Sequence, residues 1–402
     1  MIGIKTILHR LQDVKPRDLV SGIQFVFAIP CAAVFKRKHK DLWLICEDEF
    51  EARDNGYFFY RYLVKKHPEQ EVVYAINKKS PDYGKVKSLG GRVIRYGSFQ
   101  HWVYYLAASK NISSQKGGKP NAAVCYLLEI GGILKNTRIF LQHGITKDDA
   151  KWLYYPVTKF SMFVCGAKPE YEFIKERFQY PEGAVQYLGF TRFDNLHKDI
   201  TDKKLVLIMP TWRNWFVLKS KNEDGRLPSV SESLFCKAWN DFLNDESFQE
   251  ILEKNDLHAI FYPHRNMQPF LSEFSVNNHR ILVAGQQSYD VQKLLRKAAV
   301  LITDFSSVFF DMFYMKKPVV FYQFDEAEYR AKQYQQGYFE YTDNPFSIRE
   351  TTLEGAVRAF GRAVELGFKV DEKYLEGHKE YFALFDTKNC ERTYDAVRRL
   401  KR

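Results

Sequence analysis

Val300-Leu-Ile-Thr-Asp-Phe-Ser-Ser-Val-Phe-Phe-Asp311 is the stretch that decides the fold. Its start, Val300 to Thr303, reads as a strand buried on both faces, as in a parallel sheet. The strand ends at Thr303-Asp304, two hydroxyl residues follow at Ser306 and Ser307, and an apolar helix then begins. Serine is a good helix N-cap, and the free N–H groups of a first helical turn bind phosphate. Ligands of open α/β sheets sit at the carboxyl ends of the strands. The stretch is therefore a candidate pyrophosphate site, with Asp304, Ser306, Ser307 and Asp311 around it. The plainer reading is that Asp304 and Ser306 only cap the helix.

Outward from this point the same pattern repeats. Apolar, β-branched runs occur at Leu42–Cys46, Val72–Ile76, Arg92–Tyr96, Asn111–Ser114, Ile139–Gln142, Met162–Cys165 and Val185–Leu188. A second series lies at Leu205–Met209, Ala259–Tyr262, Ile281–Val283, Val300–Thr303 and Val319–Tyr322. Helical patterns such as Asn55–Lys66, Ser231–Lys254 and Tyr289–Ala298 alternate with them. The alternation predicts an α/β fold with doubly wound parallel sheets. A polar break near 195–203 separates the series. The expected units are an N-terminal segment at 1–40, Rossmann-like domains at 41–198 and 199–346, and C-terminal helices at 347–402. Two such domains facing a cleft are the GT-B layout. The charged stretch 219–230 reads as a mobile loop. Neither half carries a GxGxxG or a Walker A loop, so nicotinamide and P-loop chemistry lack support.

Other strand ends carry chemistry-bearing residues. Phe261-Tyr-Pro-His264-Arg265 offers an imidazole as proton donor and a guanidinium as clamp for a leaving phosphate; the bland alternative is a solvated loop. Phe140-Leu-Gln-His143-Gly offers an imidazole on the opposite wall as general base, next to a glycine that removes bulk; the alternative is a satisfied core histidine. Pro210-Thr211-Trp-Arg213 supplies Thr211 and Arg213 as candidate phosphate contacts. Gly189-Phe-Thr-Arg192-Phe-Asp194 supplies either an inter-domain ion pair or a ligand contact. The acidic run from Glu47 to Asp54 either accepts hydrogen bonds from a polyol acceptor or caps the next helix.

Length and charge narrow the setting. The 402 residues suggest two or three domains. An ordinary 45% hydrophobic content argues against global disorder. The net charge is +11, and eight basic against two acidic residues place +6 of it in residues 1–40. There it flanks Leu19–Phe35, an apolar stretch of 17 residues interrupted by Pro30. Basic flanks on both sides favour a segment lying in an anionic leaflet over one that crosses it; an ordinary packed helical hairpin is the alternative. The six cysteines have no metal-ligand spacing and read as small buried hydrophobes of a reduced, cytosolic protein. No metal or cofactor is required by this reading, although magnesium is compatible with it. No RNP or helix-turn-helix pattern supports nucleic acid as a partner.

Taken together, these segments resemble the CDP-glycerol glycerophosphotransferase family of teichoic acid and capsule polymerases. The matching stretches are ArgAspAsnGly at 53–56, GlnHisGly at 142–144, GlyPheThrArgPheAsp at 189–194, ProThrTrpArg at 210–213, ProHis at 263–264, and LeuIleThrAspPheSerSer with PheAsp within 301–311. Phe305 stands where the family often has Tyr. The resemblance implies a GT-B fold, peripheral on the cytoplasmic face of the bacterial cell membrane. It implies transfer of a polyol phosphate, from glycerol or ribitol, from a CDP-activated donor to a lipid-linked polymer, with release of CMP. By position, His143 is the expected acceptor-side base and His264 the donor-side partner of the pyrophosphate. Ser306, Ser307, Arg213, Thr211, Arg265, Asp304 and Asp311 fall on the donor side. Asp54, Asn55, Gln142 and Arg192 fall on the acceptor side. A nucleotide-sugar glycosyltransferase of the same fold, releasing a nucleoside diphosphate, is the alternative enzyme. A membrane- or nucleic-acid-binding protein without activity is the alternative outside enzymes.

Overall fold

The computed structural model describes residues 15–217, 229–285 and 289–400. Most of the loop at 219–230, the charged residues Lys5, Arg10 and Asp13, and the last two residues of the basic tail lie outside the described residues.

The first half builds one parallel sheet from β1 (Trp43–Ile45), β2 (Val72–Ile76), β3 (Arg92–Arg95), β4 (Lys110–Ser113), β5 (Arg138–Phe140), β6 (Met162–Cys165) and β7 (Val185–Tyr187). Their order is β3-β2-β1-β4-β5-β6-β7. The second half builds another from β8 (Leu205–Ile208), β9 (His258–Phe261), β10 (Ile281–Val283), β11 (Val300–Thr303), β12 (Val319–Tyr322) and β13 (Arg349–Glu350), in the order β10-β9-β8-β11-β12-β13. All pairs are parallel, with Leu44 between Val73 and Asn111 and Leu301 between Leu207 and Val319. The apolar runs fall on strands because both sheet faces are covered by helices. Only β13 was not anticipated: it is two polar residues long and carries no pattern.

Strand order reverses between β1 and β4 in the first sheet and between β8 and β11 in the second. Such a switch point opens a crevice where the loops after the two strands diverge, and ligands bind there. The loops beyond β1, β4, β5, β8, β9 and β11 all contribute to one cleft between the halves.

Helix α1 (Pro16–Lys38) runs unbroken past Pro30, so no hairpin forms at the described part of the N-terminus. Asp18, Ser21, Phe25, Ala28 and Ala32 form its buried face. They pack on α3 (Phe99–Ala107), where the Trp102 indole donates to Ser21 Oγ (3.0 Å) and stacks edge-on against Phe25. Asn121 donates to Asp18 (2.7 Å), and this bond holds the Asp18 carboxyl below the usual carboxylate range. The other face shows Leu19, Val20, Ile23, Val26, Phe27 and Val34 to solvent, Phe27 with 66% of its surface exposed. That spacing is one continuous stripe on a helix.

Helix α2 (Asn55–Lys66) follows β1 and starts at Asp54, whose side chain accepts the Asn55 N–H. The expected helix over 231–254 is two helices, Leu234–Leu243 and Glu246–Lys254, because Asp245 accepts the Phe248 N–H (2.8 Å) and caps a new start. The C-terminal helices divide between the halves. α5 (Leu353–Glu365) packs on β12 and β13. α6 (Asn389–Arg399) returns to the first half, where Asp194 accepts the N–H groups of Asn389 (2.8 Å) and Cys390 (2.9 Å). Five of the cysteines are buried and Cys31 is exposed on α1.

Candidate active site

The cleft encloses a cavity of about 210 Å³. Its first wall carries Glu47, Asp48, Glu51, Asp54 and His143 together with Arg53 and Arg192; its second carries His264, Arg265, Ser306 and Ser307 together with Asp311. The first wall is the richer in carboxylates and the second holds the hydroxyl groups of Ser306 and Ser307. Carboxylates accept hydrogen bonds from hydroxyls, whereas guanidinium and hydroxyl groups donate to phosphate oxygens.

His143 follows β5 and opens onto the cleft floor. A neutral imidazole carries a proton on one ring nitrogen and a lone pair on the other. Enclosure between the halves, with Arg192 and Arg265 nearby, pushes its pKa down to about 4. His264 follows β9. Its Nδ1 accepts the Asn266 N–H (3.2 Å), so the ring proton of the neutral form sits on Nε2. Burial, Arg265 and the nearby His143 push its pKa down to about 3. The Trp212 ring stacks on it at 5.9 Å. At neutral pH both imidazoles are uncharged, so His143 has a bare ring nitrogen and His264 presents its Nε2–H as a donor. This refines the expectation of His264 as proton donor.

Gly144 and Ser307 bring the walls together. A Cβ on Gly144 would lie 3.0 Å from Ser307 Oγ, so the glycine beside His143 admits the donor-side loop. Ser306 does not cap a helix. α4 (Phe309–Tyr314) starts after Val308, and its first backbone bonds close a tight turn back to Ser306 and Ser307. Both seryl side chains line the cavity instead.

Several expected contacts sit elsewhere. Arg213 is 0% exposed and does not face the cleft. It grips Asp325 through Nε (2.8 Å) and Nη2 (2.9 Å), Asp304 through Nη2 (2.8 Å) and the Thr211 carbonyl through Nη1 (2.8 Å). Asp304 in turn accepts the Thr211 N–H (2.7 Å) and the Phe305 N–H (2.6 Å). Arg213, Thr211 and Asp304 therefore tie the loops after β8, β11 and β12 to one another. Phe305 stacks on Tyr329 (4.0 Å) within the core, where the hydroxyl of a tyrosine would gain no access to the cleft.

On the acceptor side, Asn55 and Gln142 are likewise buried. Asn55 Nδ2 donates to the carbonyls of Leu141 (3.2 Å) and Gln142 (2.7 Å), and its Oδ1 accepts the Arg192 N–H (3.1 Å). Gln142 has φ 58°, a strained value for a side chain of its size. Its amide holds that turn by donating to Val164 O (2.7 Å) and Glu170 (3.0 Å). Both residues shape the loop that presents His143. Arg192 proves to be an inter-domain ion pair. It binds Asp311 through Nη2 (2.7 Å) and Nε (3.1 Å), and Asp54 through Nη1 (3.2 Å). Gln292 adds a bond to Asp311 (2.9 Å). The Asp311 carboxylate is thereby engaged by protein donors. Asp54 lines the cleft, and burial raises its pKa well above the usual range against the pull of Arg192.

Asp325, Gln292 and Glu170 were missed. Asp325 had a readable signal, an acid just after a strand; Gln292 and Glu170 sit in ordinary helical sequence. Among the described residues no cluster of His, Cys, Asp and Glu is arranged to hold a metal.

Two doubly wound sheets, joined at a shared cleft formed by their switch-point loops, define a GT-B-type architecture. The chain belongs to the CDP-Glycerol:Poly(glycerophosphate) glycerophosphotransferase family, whose model matches residues 29–399. It is 31% identical over 394 residues to the minor teichoic acid biosynthesis protein GgaB of Bacillus subtilis (strain 168), covering 96% of this chain and 42% of that protein. It is 29% identical over 175 residues to a teichoic acid poly(glycerol phosphate) polymerase of Bacillus spizizenii, covering 40% of each. The chain thus spans less than half the length of these relatives. A structure of a variant of the wall teichoic acid polymerase TagF, soaked with CDPG, superposes with a TM-score of 0.64 at 16% identity, covering 96% of this chain and 100% of that one.

Proposed function

We propose that the chain transfers a polyol phosphate from a CDP-activated donor to a terminal hydroxyl of a lipid-linked teichoic acid or related cell-surface polymer, releasing CMP. The observation that carries this reading is the pair of uncharged imidazoles at one cleft, His143 on the wall of Glu47, Asp48, Glu51 and Asp54 and His264 with its Nε2–H on the wall of Arg265, Ser306 and Ser307. Family membership and the GgaB and polymerase relatives support it, as does the TagF likeness.

In this mechanism the donor pyrophosphate lies on Ser306, Ser307 and Arg265. The acceptor hydroxyl approaches from the first wall, with Asp54 within the lining to orient it. The hydroxyl oxygen attacks the distal phosphorus, and its proton passes to the bare nitrogen of His143. A new P–O bond forms as the bond to the bridging oxygen breaks, and that oxygen leaves on CMP. His264 Nε2–H and Arg265 offset its developing charge. Phosphoryl transfer is served by positioning and charge stabilisation of this kind. The exposed stripe of α1 together with its basic flanks holds the enzyme on an anionic leaflet at the cytoplasmic face, near a lipid-linked acceptor.

The test is incubation with CDP-glycerol and CDP-ribitol in turn, with a lipid-linked acceptor, reading the nucleotide released and the length of the product. Release of CMP with an elongated acceptor is expected. No turnover of either donor, with a nucleoside diphosphate released from a nucleotide sugar instead, would replace this reading by a glycosyltransferase.

A further inference from the structure

Glu170 stands in the first turn of the helix Lys168–Arg177, which follows β6, and it is 0% exposed. Four N–H groups converge on its carboxylate. Oε2 accepts those of Gly166 (2.7 Å) and Ala167 (3.4 Å). These bonds close the start of its own helix, the ordinary use of a glutamate at this position. Oε1 accepts the Gln142 Nε2–H (3.0 Å) and the Thr146 N–H (2.5 Å), 28 and 24 residues away in the chain. Those two bonds have no part in the helix end.

Gln142 and Thr146 bracket His143, Gly144 and Ile145. The Thr146 hydroxyl donates to the Gln142 amide oxygen (2.7 Å), and the same amide donates to Val164 O on β6 (2.7 Å). The loop is thus closed on itself and tied to the neighbouring strand, with Glu170 holding both of its ends. It needs such a hold. Gln142 has φ 58°, and a residue with a side chain keeps such a backbone only where its surroundings over-determine it. The clearance across the cleft is small as well: a Cβ on Gly144 would lie 3.0 Å from Ser307 Oγ. A loop that shifted would carry His143 along the cavity it lines.

We propose that Glu170 is a positioning residue: one carboxylate oxygen pins both ends of the 142–146 loop and so fixes where the His143 imidazole stands in the cleft. The proposal rests on the reading of His143 as the base. A carboxylate suits the place because each oxygen accepts two bonds, whereas a carboxamide has one acceptor oxygen for the same four donors. The NH2 of a carboxamide would fall on the loop side, since both donors at the helix end are fixed backbone groups while the Gln142 side chain can turn away. Displacing a reacting group by about 1 Å can cost about a hundredfold in rate.

The test uses the full chain with Glu170→Gln and Gln142→Met, singly and together. Gln142→Met leaves the two helix-end bonds of Glu170 in place. Each single variant should lower kcat for CMP release by about 10- to 100-fold, with KM for the CDP-polyol within about twofold because the donor wall is untouched. The pair should fall little below the worse single variant, since both act through one loop. With 15N-labelled histidine, the His143 ring signals, identified by their loss in His143→Gln, should move in every variant, while those of His264 move far less. An unchanged kcat in either single variant, losses that multiply in the pair, or His143 signals that stay in place in Glu170→Gln overturn the proposal and leave Glu170 as a helix cap. Should Glu170→Gln not fold, Gln142→Met decides between the same outcomes by kcat and by the His143 signals. The signals need no turnover. A parent protein inactive with both CDP-polyols would overturn the functional reading, while the His143 signals still decide the tie from Glu170.

Discussion

Arg192 of the first domain grips Asp311 of the second through two hydrogen bonds, 2.7 and 3.1 Å long, with both side chains 3% exposed. The pair closes the floor of the cleft and fixes how the two walls meet. Removing Asp311 leaves the buried Arg192 with one carboxylate, Asp54, in a medium that solvates it poorly. Asp311→Ala is therefore expected to cost about 3–5 kcal/mol, and Arg192→Met with Asp311→Leu to recover most of it. Urea unfolding checks both. A single variant with the parent midpoint would show that the pair contributes nothing to holding the halves.

The two imidazoles make separable predictions. His143→Ala and His264→Ala should each lower kcat by about 10²–10⁴, the usual scale for a proton-transferring or charge-stabilising group, while CDP-polyol still binds. His143 must be neutral to accept a proton, and its pKa is pushed down from 6.5 to about 4. It is then neutral throughout the physiological range and becomes protonated only as pH falls toward 4. The rate should hold down to about pH 5 and drop below it. A rate that already halves near pH 6.5 would place the base in an unperturbed setting and contradict the geometry.

Arg213 separates the reading of the sequence from that of the structure. A phosphate contact in a solvated loop could be lost with a rise in KM and little change in stability. The observed arginine neutralises two buried carboxylates, Asp304 and Asp325. Arg213→Ala should therefore lower stability by about 3–5 kcal/mol. Lysine cannot reproduce the forked geometry, so Arg213→Lys should be destabilising too. Thermal melting decides, and parent stability with raised KM would return Arg213 to the ligand.

The stripe on α1 calls for point changes. Deleting residues 1–40 would strip Phe25, Ala28 and Ala32 from Trp102 and expose the core of the first domain. Ile23 and Phe27 lie on the outer face and can be altered without touching that packing. Ile23→Asp with Phe27→Asp should weaken binding to anionic vesicles on the order of a hundredfold, since each buried apolar side chain contributes roughly 1.5–3 kcal/mol. Unchanged co-sedimentation, with a parent-like melting curve, would remove this face from any role at a lipid surface.

The strands and the walls of the cleft were legible in the sequence for a common reason. A strand covered on both faces needs an unbroken apolar run, and the residues that interrupt the run at its carboxyl end are those the switch-point loops present. That logic located His143, His264, Arg265, Ser306 and Ser307 from local sequence, and the structure brings them to one cavity. The place of Gly144 followed from the same reading, since the loop beside His143 needed a residue without bulk.

Local sequence could not decide which polar side chains at those strand ends face a ligand and which face each other. Arg213 meets partners 91 and 112 residues away in Asp304 and Asp325, and Asn55 bonds to backbone 87 residues away at Gln142. Such pairs form only once the sheets are ordered and the loops stacked, because a charge excluded from water must find its counter-charge in three dimensions. The sequence by itself determined the alternation of strands and helices and the loops that bear chemistry. Tertiary structure alone decided that Arg213, Asp304, Asn55 and Gln142 brace the site from behind, while the two histidines remain at its surface, both uncharged at neutral pH.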